Sequence, residues 1–197
     1  MEMVRTFVAI EMPAEIRDLL AGKQDELRAL LDGAERAVRW SRPEGVHLTL
    51  QFLGNVPLEA VDAILDAVRA GCAGATPVAL RLGNVGAFPA IERPRVLWLG
   101  LDGDTMRLQT LQAGIAKQLG ALGYKPDKQF QPHITLGRVR DDITRDELGS
   151  VAQALRQEGN QPMSRTSFTA HHVSLMQSDL RPGGAVYTAL GVVGLGD

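Results

Sequence analysis

The sequence contains a single cysteine, Cys72, among 197 residues, so the chain cannot form an internal disulfide. It also lacks a long hydrophobic run: charges and glycines interrupt every apolar segment well before the roughly 18 to 20 residues that a membrane helix needs. The opening segment, MEMVRTFVAIEMP, has neither the basic region nor the long apolar region of a secretory signal peptide. We therefore expect a cytoplasmic protein that does not enter a membrane.

Excess positive charge is absent as well. The 21 Lys and Arg residues are outnumbered by 23 Asp and Glu residues, which gives a formal net charge of −2. Proteins that coat long nucleic acids rely on many Lys and Arg contacts to phosphates, so this composition argues against that class and still permits a small anion site. A hydrophobic content of 45% is enough for the core of one large domain or two small lobes.

Short strands and amphipathic helices alternate along the chain. The β-branched and aromatic residues of 4–10 predict a strand. Apolar residues at helical spacing predict helices over 14–31, 58–71 and 106–122. Gly71 is predicted to cap the second of these helices at its C-terminus. Thr144 and Glu147 have the spacing of a capping box and predict the start of a further helix.

One short pattern occurs twice, as VHLTL at 46–50 and PHITL at 132–136. Side chains alternate along a strand, so His47 and Thr49 should share one face, about 7 Å apart, while the leucines occupy the other. His133 and Thr135 have the same phase. The histidines are 86 positions apart, and the order of elements around them is similar, which indicates a duplication. We predict an α+β fold with two similar lobes and a ligand cleft between them.

The doubled pattern has a chemical interpretation. Threonine hydroxyls can donate hydrogen bonds to phosphate oxygens, and imidazole exchanges protons near neutral pH. Two histidines can therefore supply a general acid and a general base on opposite sides of a phosphodiester without a metal.

Two alternatives compete with this interpretation. A lone histidine in a strand is more often structural than catalytic, but a structural role gives little reason for the pattern to be repeated. A catalytic zinc site usually has three protein ligands, and neither motif has a carboxylate, thiol or second histidine at ligand spacing. His171 and His172 lack the following Thr-Leu, and we interpret them as structural or exposed residues.

The segments HLTLQFLG and FQPHITLGR resemble the paired motifs of the two-histidine (2H) phosphoesterases. The closer similarity is to the RNA 2′,3′-cyclic phosphodiesterase branch, also called the 2′-5′ RNA ligase family. The resemblance extends to RTFVAIEMP, RVLWLGL and SDLRPGGAVYTAL, and so covers nearly the whole chain. It implies one bilobal α+β domain over 1–197, with two pseudo-symmetric lobes of antiparallel strands and outer helices. The two motifs would face each other across a central cleft.

The resemblance also implies an activity, which is hydrolysis of an RNA-terminal 2′,3′-cyclic phosphate to a 2′-phosphate, with no metal and no cofactor. His47 matches the proton donor to the leaving 3′ oxygen, and His133 matches the proton acceptor from the attacking water. Thr49 and Thr135 match the threonines that hold the phosphate. The expected partners are RNA ends or nucleotides that carry a 2′,3′-cyclic phosphate, and we expect a monomer.

Further binding residues are predicted less directly. Arg138 matches an arginine that follows the second motif, but its offset of five from His133 requires a bulge or strand end near Gly137. Phe130 and Phe7 could stack on a base, although a core position is favoured for Phe7. Trp40 and Trp98 are also predicted to be core residues.

Two other functions remain open at this point. The same chemistry could act on another small substrate, such as a nucleotide cyclic phosphate, a 2′-5′ linked oligonucleotide or an ADP-ribose cyclic phosphate. The cleft could instead belong to a non-catalytic module that binds nucleotides or RNA ends.

Overall fold

The structure, a computed structural model, describes residues 2–126, 129–159, 166–181 and 184–196. Four α-helices lie in this part of the chain: α1 (Ala14–Ala29), α2 (Val61–Cys72), α3 (Thr105–Ala121) and α4 (Arg145–Gly159). None of these helices is long and apolar enough to cross a membrane. The strands are β1 (Met3–Glu11), β2 (Val38–Trp40), β3 (His47–Pro57), β4 (Val78–Phe88), β5 (Val96–Gly103), β6 (His133–Val139), β7 (Ser167–Ala170), β8 (His172–Arg181) and β9 (Gly184–Gly194).

The described strands form one nine-stranded sheet in the order β7-β4-β5-β6-β3-β1-β8-β9, with β2 beside β6. Every neighbouring pair is antiparallel. The two motif strands, β3 and β6, are therefore the central pair. The predicted α+β class with antiparallel strands is confirmed.

The expected two-lobe arrangement is seen on the two sides of this central pair. The units β1-α1-β3 and β5-α3-β6 each consist of a strand, a helix and a motif strand that pairs with the first strand. The lobes do not correspond to the two halves of the sequence, however. The C-terminal strands β8 and β9 extend the lobe of β1, and β4 extends the lobe of β5. Each lobe therefore contains strands from both halves of the sequence.

The two faces of the sheet have different compositions, as the alternation of side chains predicts. Leu48, Leu50, Ile134 and Leu136 are buried in the main core, together with the apolar residues of the helices. The opposite face carries the motif histidines and threonines, all of them half-buried. A small separate cluster of Phe7, Ala9 and Met176 lies on that face.

The predicted helices form, with changes at their ends. The capping box is present: the Glu147 carboxylate accepts the Thr144 backbone N–H at 2.7 Å, and the Thr144 hydroxyl accepts the Glu147 backbone N–H at 3.2 Å. The helix predicted over 58–71 begins with a 3-10 turn and continues as α2 to Cys72.

The prediction that Gly71 caps α2 is wrong. Gly71 lies inside the helix, and a Cβ atom built on it would come within 2.5 Å of the Ile115 Cα atom in α3. A Cβ atom on Gly114 would likewise lie 2.7 Å from the Gly71 carbonyl oxygen. The two glycines allow the backbones of α2 and α3 to cross at a distance that side chains would prevent.

Replacing Gly71 with alanine should destabilise the protein, because the added methyl group meets backbone rather than a flexible side chain. Overpacking of this kind costs about 1 to 3 kcal/mol of unfolding free energy. Denaturant unfolding should show a lower midpoint with an unchanged m-value.

The matched control is Gly22→Ala. Gly22 lies inside α1 with no atom within 4 Å of a Cβ built on it. Helix propensity alone predicts a gain of about 1 kcal/mol there. Equal effects of the two substitutions on stability would contradict the close-crossing interpretation.

Candidate active site

The two motifs lie side by side on one face of the sheet. Leu48 of β3 pairs with Ile134 of β6 in an antiparallel register. In this register His47 lies across from Thr135 on the neighbouring strand, and Thr49 lies across from His133. The two motif strands are hydrogen-bonded neighbours, and they present all four polar side chains to one site.

Each motif histidine makes the same local hydrogen bond. Nδ1 of His47 lies 2.7 Å from the carbonyl oxygen of Gly45, and Nδ1 of His133 lies 2.7 Å from that of Gln131. A carbonyl oxygen can only accept, so each Nδ1 carries the hydrogen. In the neutral imidazole this leaves Nε2 as the unprotonated nitrogen, which is able to accept or return a proton.

The local sequence provides these two carbonyl groups. Gly45 ends a 3-10 turn that begins at Pro43, and one residue separates this turn from β3. Pro132 follows Gln131 and favours an extended backbone at Gln131, since a residue before proline is disfavoured in the helical region. In both cases the carbonyl group two positions before the histidine is available to its Nδ1 atom.

Aromatic rings hold the two imidazoles in place. The His47 ring stacks on Phe7 with centroids 4.5 Å apart and meets the edge of Tyr187 at 5.0 Å. The His133 ring meets Phe88 edge-to-face at 4.9 Å. Phe7 is fully buried, as the favoured core assignment required, but it packs in the small cluster on the site face. The contributions of Tyr187 and Phe88 were not predicted.

Burial is the largest influence on both imidazoles and lowers the pKa of each from its ordinary value. For His47, the hydrogen bond to Gly45 and the Glu11 carboxylate oppose this effect, whereas the positive form of His133 adds to it. For His133, the hydrogen bond to Gln131 opposes burial, and the Arg138 guanidinium lowers the pKa further. Both side chains are therefore biased toward the neutral form at neutral pH.

The bulge near Gly137 that the prediction for Arg138 required is present in β6. Leu97 pairs with Gly137 and the next residue, Trp98, pairs with Thr135, so β6 has an extra residue at Leu136. This bulge shifts the alternation, and the burial pattern changes phase between Leu136 and Val139 accordingly. The exposed Arg138 side chain consequently lies on the site face with His133, whose pKa it lowers.

A pocket of about 310 Å³ opens beside His133. Phe130 lies in its wall, together with Phe88, Trp98 and the glutamines Gln109, Gln129 and Gln131. The prediction of Trp98 as a core residue is wrong, because the half-buried indole lines this pocket. Gly86 makes room for the ring: a Cβ atom there would lie 2.3 Å from the indole.

Trp40, the other tryptophan predicted as a core residue, is also only half-buried. It lies at the margin of the core, with the Arg28 guanidinium over its ring.

The remaining histidines lie at the junction of β7 and β8. His171 is exposed, and His172 is half-buried at the start of β8. Within the described residues, no three His, Cys, Asp or Glu side chains come together in a way that could hold a metal ion.

The missed residues left only weak signals in the sequence. Glu11 and Tyr187 occur in RTFVAIEMP and SDLRPGGAVYTAL, which were noted as similar to the family but carry no motif of their own. Trp98 alternates with buried Leu97 and Leu99, so its strand phase already placed it on the site face.

Comparison with known proteins identifies the family. The model described as "2'-5' RNA ligase superfamily" matches residues 8–182. The chain is 31% identical to the RNA 2′,3′-cyclic phosphodiesterase of Methanothermobacter thermautotrophicus, over 96% of this chain and 97% of that protein. It is also 31% identical to the protein of the same name from Archaeoglobus fulgidus, over 96% and 99% of the two chains.

A solved structure shares the fold over the full length. The crystal structure of E. coli LigT complexed with 3′-AMP superposes with a TM-score of 0.77 at 27% identity, covering 100% of both chains. The match of residues 8–182 takes in both histidine motifs and the strands that carry them. The chain therefore belongs to the 2′-5′ RNA ligase superfamily.

Proposed function

We propose that this protein hydrolyses RNA-terminal 2′,3′-cyclic phosphates to 2′-phosphates without a metal ion, with His47 and His133 as the general acid and base. The observation that carries the proposal is the presentation of two imidazoles on one face of adjacent strands. Each has its Nδ1 hydrogen bonded to a carbonyl oxygen, which leaves Nε2 for chemistry. The relatives named RNA 2′,3′-cyclic phosphodiesterase support the substrate class.

The proposed reaction is an in-line displacement at phosphorus. Nε2 of His133 accepts a proton from water as the water oxygen bonds to phosphorus. The bond between phosphorus and the 3′ oxygen breaks, and Nε2 of protonated His47 donates its proton to that oxygen. The product carries a 2′-phosphate and a free 3′ hydroxyl. Exchange of protons with solvent then returns both imidazoles to their starting forms.

Thr49 and Thr135 are proposed to hold the phosphate during this reaction. Their hydroxyls flank the central Leu48–Ile134 pair, one on each strand, and can donate to the non-bridging oxygens where negative charge increases. The similarity to LigT, which was crystallised with 3′-AMP, supports a nucleotide-sized ligand for this protein.

Arg138 and Phe130 are proposed to bind the two ends of the terminal nucleotide. The guanidinium of Arg138 lies on the site face, where it can form two parallel hydrogen bonds to phosphate. Phe130 lines the pocket beside His133, whose aromatic wall and glutamine amides suit a base that stacks and forms hydrogen bonds.

The first test is hydrolysis of a short RNA with a 2′,3′-cyclic phosphate end, in EDTA, by wild type and by His47→Ala and His133→Ala. Loss of either acid–base partner should lower the rate by about 10² to 10⁴. His171→Ala, which changes an exposed histidine, should retain full activity. An inactive wild type that still binds the RNA end would contradict the enzymatic proposal and favour a binding module.

Wild-type activity should depend on pH with a bell shape. His133 must be neutral to accept a proton, so activity falls below its pKa, and His47 must be protonated, so activity falls above its pKa. Because burial lowers the pKa of both groups, both limbs should lie at lower pH than for solvent-exposed imidazoles. The limbs belong to the coupled pair and are measured from kcat/KM against pH. A rate that rises steadily with pH and disappears with chelator would instead indicate a metal-bound hydroxide.

Substitution of Arg138 by methionine should affect both binding and pH dependence. Loss of a charge-assisted hydrogen bond, worth about 1.5 to 3 kcal/mol, should lower kcat/KM by roughly 10- to 100-fold. Because Arg138 lowers the pKa of His133, its removal should also move the acid limb to higher pH.

Two variants serve as controls for this prediction. Arg138→Lys retains the charge without the planar fork, and should restore the acid limb but only part of kcat/KM. Arg156→Met, on the exposed face of α4, should change neither quantity. An Arg138→Met enzyme with normal kcat/KM would place this arginine outside the substrate site.

A further inference from the structure

Glu11 is a charged residue at the site to which the proposed reaction assigns no role. It is the last residue of β1, and its Cα partner in the pairing with β3 is His47. It has the same strand phase as Phe7 and Ala9, so its side chain belongs to the site face. The carboxylate is half-buried, and its Oε1 accepts a hydrogen bond of 2.6 Å from the Ser174 hydroxyl.

The hydrogen bond from Ser174 holds the carboxylate in a defined position. Ser174 is fully buried on β8, where it pairs with Ala9 of β1. A buried hydroxyl that donates to a carboxylate restricts the rotamers of both side chains. The negative charge is therefore kept beside His47 rather than released to solvent.

Without a positively charged partner, a carboxylate in this place would oppose substrate binding. The site is proposed to bind a phosphate, and a nearby negative charge repels an anion. Its position is understandable if its main interaction is with the protonated form of His47. Nδ1 of His47 is bonded to the Gly45 carbonyl oxygen, and the Glu11 carboxylate acts on the His47 ring through space, by its charge.

The charges around the two histidines differ in sign. Ionisable groups near His47 include Glu11 on β1, His133 on β6 and Tyr187 on β9. Near His133, Arg138 on the same strand is a charged group, while β4 contributes the uncharged Phe88. The negative charge beside His47 and the positive charge beside His133 each favour a proton on His47, and they oppose the effects of burial and of the positive form of His133 on that residue.

We propose that Glu11, held by Ser174, is a positioning residue that keeps the catalytic proton on His47 and so establishes His47 as the acid and His133 as the base. This inference rests on the proposed function for the reaction itself. It adds the physical reason for the direction of proton transfer, which two identical motifs cannot provide. After each turnover the same charge favours return of a proton to His47.

The test is titration of the histidine side chains in the free protein by NMR, comparing wild type with Glu11→Gln. The chain has only four histidines, so the His47 signals can be assigned from His47→Gln. Glutamine can still accept the hydrogen bond from Ser174, so the substitution removes the charge and preserves the contact. We expect the pKa of His47 to fall, because the Glu11 carboxylate raises it in the wild type. The alkaline limb of kcat/KM should move to lower pH by the same amount, with KM little changed.

Three further variants separate charge from structure. Glu11→Asp keeps the charge and should restore much of the His47 titration. Ser174→Ala releases the carboxylate and should give a shift between those of wild type and Glu11→Gln. Glu15→Gln removes an exposed carboxylate in the first turn of α1, four residues away, and should leave both titration and activity unchanged.

An unchanged His47 titration in Glu11→Gln would overturn the inference, whatever the activity of the enzyme. Equal shifts in Glu11→Gln and Glu15→Gln would also overturn it, since net charge alone would then explain the effect. A shift confined to Glu11→Gln in a protein without hydrolytic activity would support the effect of Glu11 on His47 and would refute the proposed function. The two failures are therefore distinguishable.

Discussion

The site depends on the antiparallel register that joins β3 to β6 at Leu48 and Ile134. This pair is the seam between the two lobes, and its side chains are completely buried in the main core. A slip of one residue in either strand would turn its histidine and threonine toward the core and its leucines toward the site. The apolar face therefore selects the register, and the register determines that all four polar side chains meet. Packing on one face of the sheet thus determines which side chains meet on the other face.

Partial burial has two consequences for the histidines. Contacts with Phe7, Tyr187 and Phe88 hold the rings and remove water, which lowers the pKa of both imidazoles. The carbonyl groups of Gly45 and Gln131 satisfy Nδ1, so the remaining polar atom of each ring is Nε2. Buried polar groups are costly without partners, and here the backbone partner also selects the tautomer. The same contacts that stabilise the rings prepare them for proton transfer.

The two lobes are similar in backbone but different in charge. Both contribute a strand, a helix and a motif strand, and both motifs make the same histidine–carbonyl hydrogen bond. Glu11 accompanies one histidine and Arg138 the other. The pocket beside His133, lined by Trp98 and Phe130, further distinguishes the second lobe. A duplicated frame can therefore support a reaction in which the two histidines have different roles.

Local patterns in the sequence determined the helices, the strand β1, the capping box at Thr144 and the face on which each motif lies, because these depend on residues a few positions apart. The resemblance of the two motifs to the family also predicted the fold class. Only the tertiary structure decided that the motifs lie side by side, that a bulge brings Arg138 to the site face, and that Gly71 serves a helix crossing. It alone brought Glu11, Ser174 and Tyr187 to His47. These contacts join residues distant in the chain, and the free energy that selects them comes from packing of the whole sheet.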